Sequence, residues 1–330
     1  MKKKIIVLGA TGNTGVYLVD YMIHNMNLDE YEIIAAGRRD TDFFNRWNVP
    51  YYSVDIADKN SLDKLPKENV YAVVFEAGLL PASMEGYHPE KYLQVNTIGA
   101  LNVLEFCREN FVDRVIYTQT IREIGEYINT GVVLSPELPR NFSFKGDHAV
   151  YTISKNAAVD MIEHYYQEYG LKRFIFRLPT IYSYGKTDIY YVDGIPRKKA
   201  YRLFMEKAQN GEPIEVWGDP MKAHDVVYVK DFCQMLTKAV SAQCDGGIYH
   251  VGTGIPVTLE DQIQGIVEVF NNGKKSEIIY RPDKPNARTY TMDISKAEKD
   301  LGYKPNYSYL DYLKDFKKEM ELQRFKDLNQ

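Results

Sequence analysis

The chain begins with the run Lys4-Ile5-Ile6-Val7-Leu8, followed at once by Gly9-Ala10-Thr11-Gly12-Asn13-Thr14-Gly15 and then a helix-period segment. A short apolar run closed by glycine reads as a strand buried on both faces. Glycines three apart let the backbone turn tightly and come close to a pyrophosphate. The helix that follows offers free N–H groups and the positive end of its dipole. An ordinary tight turn is the alternative for such a pattern alone. Its position between a strand and a helix favours a dinucleotide cradle, with Gly9, Thr11, Gly12, Asn13 and Gly15 as cofactor contacts.

The same alternation continues. Residues 32–36, 49–54, 72–75, 114–117 and 174–177 read as further buried strands, and residues 14–25, 96–109 and 149–169 as helices. That order predicts an α/β fold, a doubly wound parallel sheet of Rossmann type with ligands at the carboxyl ends of its strands. Beyond residue 178 Pro, Gly and Tyr become frequent. Helices are expected at 195–210, 229–241, 258–270, 295–301 and 309–325, the last with Leu310, Leu313, Phe316 and Met320 on one face. Residues 1–178 are thus expected to bind the dinucleotide. Residues 179–330 should form a smaller C-terminal α/β substrate lobe, interleaved with the first, and the sheet should gain a later strand from about 225–229.

Composition narrows the function. A net charge of -4 over 330 residues argues against a nucleic-acid surface, which needs clustered cations. The basic cluster Arg197-Lys198-Lys199 reads as a solvated helix start. Three cysteines, Cys107, Cys233 and Cys244, with no close pairing suggest free thiols in a reducing compartment, and no metal-ligand spacing is present. The apolar run after Met1-Lys2-Lys3-Lys4 is too short for a signal segment, and no stretch reaches the ~20 apolar residues of a membrane span. A cytoplasmic protein is expected.

Two further patterns carry chemistry. The second strand ends Ala35-Ala36-Gly37-Arg38-Arg39, where NAD-binding proteins usually place a carboxylate on the ribose hydroxyls. A guanidinium suits a ribose 2′-phosphate, so Arg38 points to NADP. The alternative is Arg38 stacked on adenine in an NAD enzyme. Farther on, Tyr151-Thr152-Ile153-Ser154-Lys155 places Tyr and Lys one turn apart on one helix face. A free phenol titrates near ~10, too high for a base at neutral pH. A neighbouring ammonium and an oxidised nicotinamide would each lower it, giving a general acid–base.

Together these residues resemble the extended short-chain dehydrogenases, the NAD(P)-dependent epimerase/dehydratase family. The Gly9-x-x-Gly12-x-x-Gly15 spacing is similar to the family's signature. So are Val216-Trp217-Gly218-Asp219, His224 to Asp231, Tyr249 to Gly254, and Asp293 to Pro305. The resemblance implies Thr120 as the catalytic hydroxyl beside Tyr151 and Lys155, with Thr118 as the fallback. It implies cofactor contacts at Asp55 and Ile56, at Ala77 and Gly78, at Asn96 (a helix start, or a plain N-cap) and at Pro179. It also implies a nucleotide-diphosphate sugar as substrate and a homodimer paired through helices 96–109 and 149–169. Arg281 matches the arginine that grips the diphosphate. His224 stands where the family has an arginine and Thr180 where it has an asparagine, and both changes remove phosphate donors. His148, expected in a loop, is either a substrate contact or a solvated histidine.

The family's dehydratases carry an Asp-Glu pair directly after the catalytic Thr. Here those positions are Ile121 and Arg122, with Glu123 next in line. What remains is hydride-transfer chemistry: a sugar-nucleotide epimerase, or an NADP-dependent ketoreductase or dehydrogenase. A dinucleotide-binding sensor without chemistry is the further alternative.

Overall fold

A computed structural model describes residues 1–328. Seven parallel strands form the central sheet. In chain order they begin with β1 (Lys3–Leu8), β2 (Tyr31–Gly37), β3 (Tyr51–Ser53), β4 (Val70–Phe75), β5 (Arg114–Thr120) and β6 (Lys172–Leu178), and the seventh is Gly246–His250. Their spatial order is 3-2-1-4-5-6, with the seventh beside β6. β1 shows why they are strands. Ile5 and Val7 enter one core and Ile6 and Leu8 the other, so every side chain from 5 to 8 is buried. β4 divides the same way, with Ala72 and Val74 against Val73 and Phe75. Burial on both faces is the condition that makes an unbroken apolar run a parallel strand.

Helices cover both faces. They are α1 (Asn13–Asn25), α2 (Pro89–Tyr92), α3 (Gly99–Glu109), α4 (His148–Tyr169), α5 (Ala200–Asn210), α6 (Val229–Ser241), α7 (Leu259–Phe270), α8 (Ser295–Leu301) and α9 (Tyr309–Leu322). α1 and α6 bury Val16, Leu18, Phe232 and Met235 on one face. α3 and α4 bury Val103, Leu104, Val159 and Ile162 on the other. α9 opens with a capping box between Ser308 and Asp311.

The structure departs from the sequence reading in four places. The late strand is Gly246–His250, not residues 225–229; Val227–Tyr228 pairs with Ile181–Tyr182 outside the main sheet. Gly246 permits this, because a Cβ there would lie 1.9 Å from the Arg173 carbonyl oxygen. The expected helix 195–210 is split. Ile189–Val192 and Ile195–Lys198 form an antiparallel hairpin turned at Asp193-Gly194, both with positive φ. Arg197 and Lys198 therefore sit on a strand, not at a helix start. Asn96 is neither a helix start nor an N-cap: it lies inside a continuous helical stretch, in the wide turn Leu93–Ile98 between α2 and α3. His148 is the first residue of α4, not part of the preceding loop.

Candidate active site

The strand order reverses between β1 and β4, and the glycine-rich turn opens at that point. The Gly9 and Ala10 amides both donate to the Ala36 carbonyl, at 2.9 and 3.0 Å, which folds the turn back over β2. Gly9 has φ +94° and lies against β4, where a Cβ would stand 2.7 Å from the Ala77 amide nitrogen. A Cβ on Gly15 would lie 2.3 Å from the Gly9 carbonyl oxygen. These two glycines allow the strand, the turn and α1 to pack as closely as they do. Gly12 caps α1 without a side-chain hydrogen bond, so no side chain occupies the first amides of the helix. Thr11 is buried against Gly37. The turn, the open helix start and the small residues fit a dinucleotide pyrophosphate.

Two residues of this end are invisible in the sequence pattern. Lys186 reaches back from beyond β6. Its Nζ donates to the Thr11 carbonyl and its amide to Asn13 Oδ1, at 3.2 Å for the amide. Burial lowers its pKa to about 8. Glu76, just past β4, accepts a short hydrogen bond from the Thr14 hydroxyl. The residue is half-buried, yet its Oε1 is shut off from water with no partner, and burial raises its carboxyl to about 7.

Thr120, Tyr151 and Lys155 converge in a cleft of about 630 Å³ that also reaches Thr14, Glu76, Gly78 and Asn96. They are 7 %, 6 % and 5 % exposed. Thr120 ends β5, and its Oγ1 accepts from the Arg122 amide at 3.1 Å, leaving its proton for the Tyr151 phenol. Thr118 bonds back to the Phe75 carbonyl at 3.5 Å instead. Asn96 ties the segment after β4 to α4: it exchanges hydrogen bonds with the Leu79 backbone and donates to Ser154 Oγ at 3.1 Å, while Ser154 donates to the Tyr151 carbonyl. A second, open depression of about 670 Å³ around Asp40, Phe43 and Arg46 holds none of these groups.

The electrostatics differ from expectation. Burial pushes Tyr151 up to about 12, opposed by the Thr120 hydrogen bond and then by the charge of Arg122. Burial pushes Lys155 down to about 7. The cation acting on the phenol in this structure is therefore Arg122.

The remaining candidates fall into place around the cleft. Pro179, Thr180, His148 and His224 line it. His148 Nδ1 lies 2.8 Å from Asp147 Oδ1. His224 Nε2 lies 3.2 Å from the Tyr182 hydroxyl, and burial holds the ring near 4, so it is a neutral side chain and no substitute for an arginine. Asp55 accepts from the Ala57 amide at 3.0 Å just beyond β3, and Ile56 is buried against Gly99. Ala77 packs against Gly9, while Arg38 is exposed at the end of β2. Arg281 is not in the cleft. Its guanidinium is held by Glu215 at 3.0 Å and Asp283 at 3.2 Å. Glu123 is also outside it, 1 % exposed and ion-paired with Arg177 and Arg140. In their place the cleft holds Arg122 and, unforeseen, Arg288.

A family model described as the NAD dependent epimerase/dehydratase family matches residues 5–252. The chain belongs to that family. This epimerase/dehydratase is 25% identical over 316 residues to the putative UDP-glucose 4-epimerase of Methanocaldococcus jannaschii, covering 91% of this chain and 93% of that one. It is 25% identical over 323 residues to the dTDP-glucose 4,6-dehydratase of Xanthomonas campestris, covering 90% and 86%. Its fold matches the crystal structure of the Thermotoga maritima UDP-glucose 4-epimerase with UDP-glucose at a TM-score of 0.76 and 22% identity, over 96% of this chain and 99% of that one. As a member of the family it is an NAD-dependent enzyme of the extended short-chain dehydrogenase type.

Proposed function

We propose that the protein is an NAD(P)-dependent sugar-nucleotide epimerase in which Tyr151 is the acid–base. The observation that carries this reading is what stands beside Thr120. Ile121 and Arg122 face the cleft, and the nearest carboxylate in sequence, Glu123, is turned away into a buried ion pair. Elimination of water needs a positioned carboxylate there, a contribution of ~10²–10⁴-fold. Epimerisation needs none. Its relatives include a putative 4-epimerase and a 4,6-dehydratase, and the missing carboxylate favours the first.

The residues present divide the work. Gly9, Thr11, Gly12, Asn13 and Gly15 would hold the pyrophosphate, and Asp55 and Ile56 the adenine. Ala77, Gly78, Asn96 and Pro179 would line the cofactor's path, and Lys155 would hold the nicotinamide ribose. A bound nicotinamide supplies a hydride acceptor and donor. Tyr151 takes the proton from the substrate hydroxyl and later returns it, while Thr120 hydrogen-bonds the same oxygen. The charge of Arg122 favours the phenolate. Thr180, His148 and His224 would contact the sugar, and Arg281 the diphosphate once its carboxylate partners release it.

A second reading, an NADP-dependent ketoreductase or dehydrogenase, draws on Arg38. Its exposure at the end of β2, with glycine where a carboxylate would stand, suits a 2′-phosphate. A homodimer is supported by apolar side chains left in water: Leu93, Ile98 and Leu101 along the α2–α3 stretch and Ile153 on α4. Among the described residues no helix is long and apolar enough to cross a membrane. With all three cysteines free, we place the enzyme in the cytoplasm.

The deciding experiment identifies the dinucleotide that co-purifies, by mass spectrometry, and follows 4-epimeric nucleotide-sugar pairs without added cofactor. Interconversion supports the epimerase. Turnover only with stoichiometric NADPH, or none on any pair, overturns it.

A further inference from the structure

Arg122 and Arg288 line the catalytic cleft together with Thr120 and Tyr151, yet neither guanidinium has a carboxylate partner among the described residues. This contrasts with Arg140, Arg177 and Arg281, each ion-paired. Arg122 is half-buried and Arg288 stands exposed at the mouth. Each charge is felt by the other groups of the cleft: Arg288 acts against protonation of Arg122, and both act against protonation of His148. Asp147 is the carboxylate whose charge offsets them, and its Oδ1 lies 2.8 Å from His148 Nδ1. Glu76 lies on the cofactor side of the cleft, bonded to Thr14. Two guanidiniums lining one cleft, one of them half-buried, repel each other, and a carboxylate placed between them would satisfy both.

We propose that Arg122 and Arg288 form an anion clamp for a carboxylate carried on the reacting sugar itself, so that the substrate is a nucleotide-linked sugar acid. This rests on the sugar-nucleotide reading above and adds the substrate's class. A guanidinium can equally grip a phosphate, and the substrate's own diphosphate is the competing source. Position decides between them. Arg122 is two residues from Thr120, its amide donates to Thr120 Oγ1 at 3.1 Å, and it lines the cleft beside Tyr151, so an anion it binds lies next to the sugar carbon assigned to react there. Arg281, outside the cleft lining, is left for the diphosphate.

The test uses the full-length enzyme with its dinucleotide and three probes, UDP, UDP-glucose and UDP-glucuronate, titrated by calorimetry. UDP-glucuronate should bind at least tenfold tighter than UDP-glucose. Arg122→Met and Arg288→Met should each abolish that preference and leave UDP affinity within about twofold. Equal binding of the two sugars overturns the proposal. So does an Arg122→Met variant that weakens UDP as much as UDP-glucuronate, which would assign the clamp to the diphosphate. If none of the three nucleotides binds, the sugar-nucleotide reading has failed, and the clamp is judged separately by phenylglyoxal modification. Free glucuronate, but not glucose, should slow the labelling of Arg122 measured by peptide mass spectrometry. Equal rates with the two sugars overturn the clamp on its own terms.

Discussion

Lys155 Nζ lies 4.0 Å from the centre of the Tyr117 ring. The aromatic face supplies the negative end of a quadrupole where water is excluded, a modest stabilisation of ~0.5–2 kcal/mol for an ammonium. It does not cancel burial, which brings Lys155 down to about 7 while Tyr151 rises to about 12. The two side chains are thus poised in geometry and unprimed in charge. On the reading proposed above, cofactor and substrate would complete the electrostatics.

Tyr151→Phe removes the proton carrier and keeps the ring that packs edge-on against Tyr92 at 5.8 Å. Turnover on the true substrate should fall by at least ~10², with thermal stability and NADH binding retained. Adding Thr120→Val should cost far less than the product of the single losses, because the two act on one oxygen. Steady-state rates of the single and double variants check this, and near-normal turnover in Tyr151→Phe would overturn the acid–base assignment.

Arg38→Ala should separate the cofactors. Loss of a charge-assisted partner for a 2′-phosphate corresponds to ~1.5–3 kcal/mol. NADPH affinity should drop by roughly ten- to a hundredfold and NADH affinity should stay nearly constant. Fluorescence titration reads both, and equal weakening would assign Arg38 to adenine stacking instead.

Glu76 makes stability fall with pH in the cofactor-free protein. Its folded carboxyl titrates near 7 against 4.5 ordinarily, so the folded state holds that proton more tightly. The stabilisation is complete below the ordinary carboxyl range and lost as pH rises through about 7, roughly 2–4 kcal/mol in all. Glu76→Gln should therefore gain on the wild type between pH 5 and pH 8 in chemical denaturation. A difference that stays flat across that range would contradict the buried, unpaired Oε1.

Much of this site was legible in the sequence because its parts obey local rules. Glycine spacing after a strand, and Tyr and Lys one helical turn apart, are set by backbone geometry within a few residues. Arg288, Lys186 and Glu76 obey no such rule. They reach the site from separate loops, and only tertiary packing brings Arg288 into the cleft with Arg122 or Lys186 over Thr11. Arg281 failed to appear in the cleft for the converse reason: Glu215, on the strand paired with its own, captured it first. The seventh strand was misplaced because Val227–Tyr228 reads as well in sequence as Gly246–His250, and what separates them is the close approach that Gly246 alone permits.

The exposed row of Leu93, Ile98, Leu101 and Ile153 should be covered in solution. Light scattering at micromolar concentration should give twice the monomer mass. Leu101→Glu should return the monomer with its fold intact, since that side chain lies outside the core. A wild-type monomer would count against the pairing.

The bond from Lys186 to Thr11 has a consequence for the rhythm of the reaction. The glycine-rich turn follows β1, but the segment tied to it at Thr11 and Asn13 lies beyond β6, more than 170 residues later. Any movement of the turn away from that segment has to break these bonds. On the proposed reading, such a tie would slow loading and release of a dinucleotide held at the turn. A dinucleotide retained in this way would suit the redox-neutral reaction proposed above, whereas a reductase, renewing its hydride each cycle, would have to work against it.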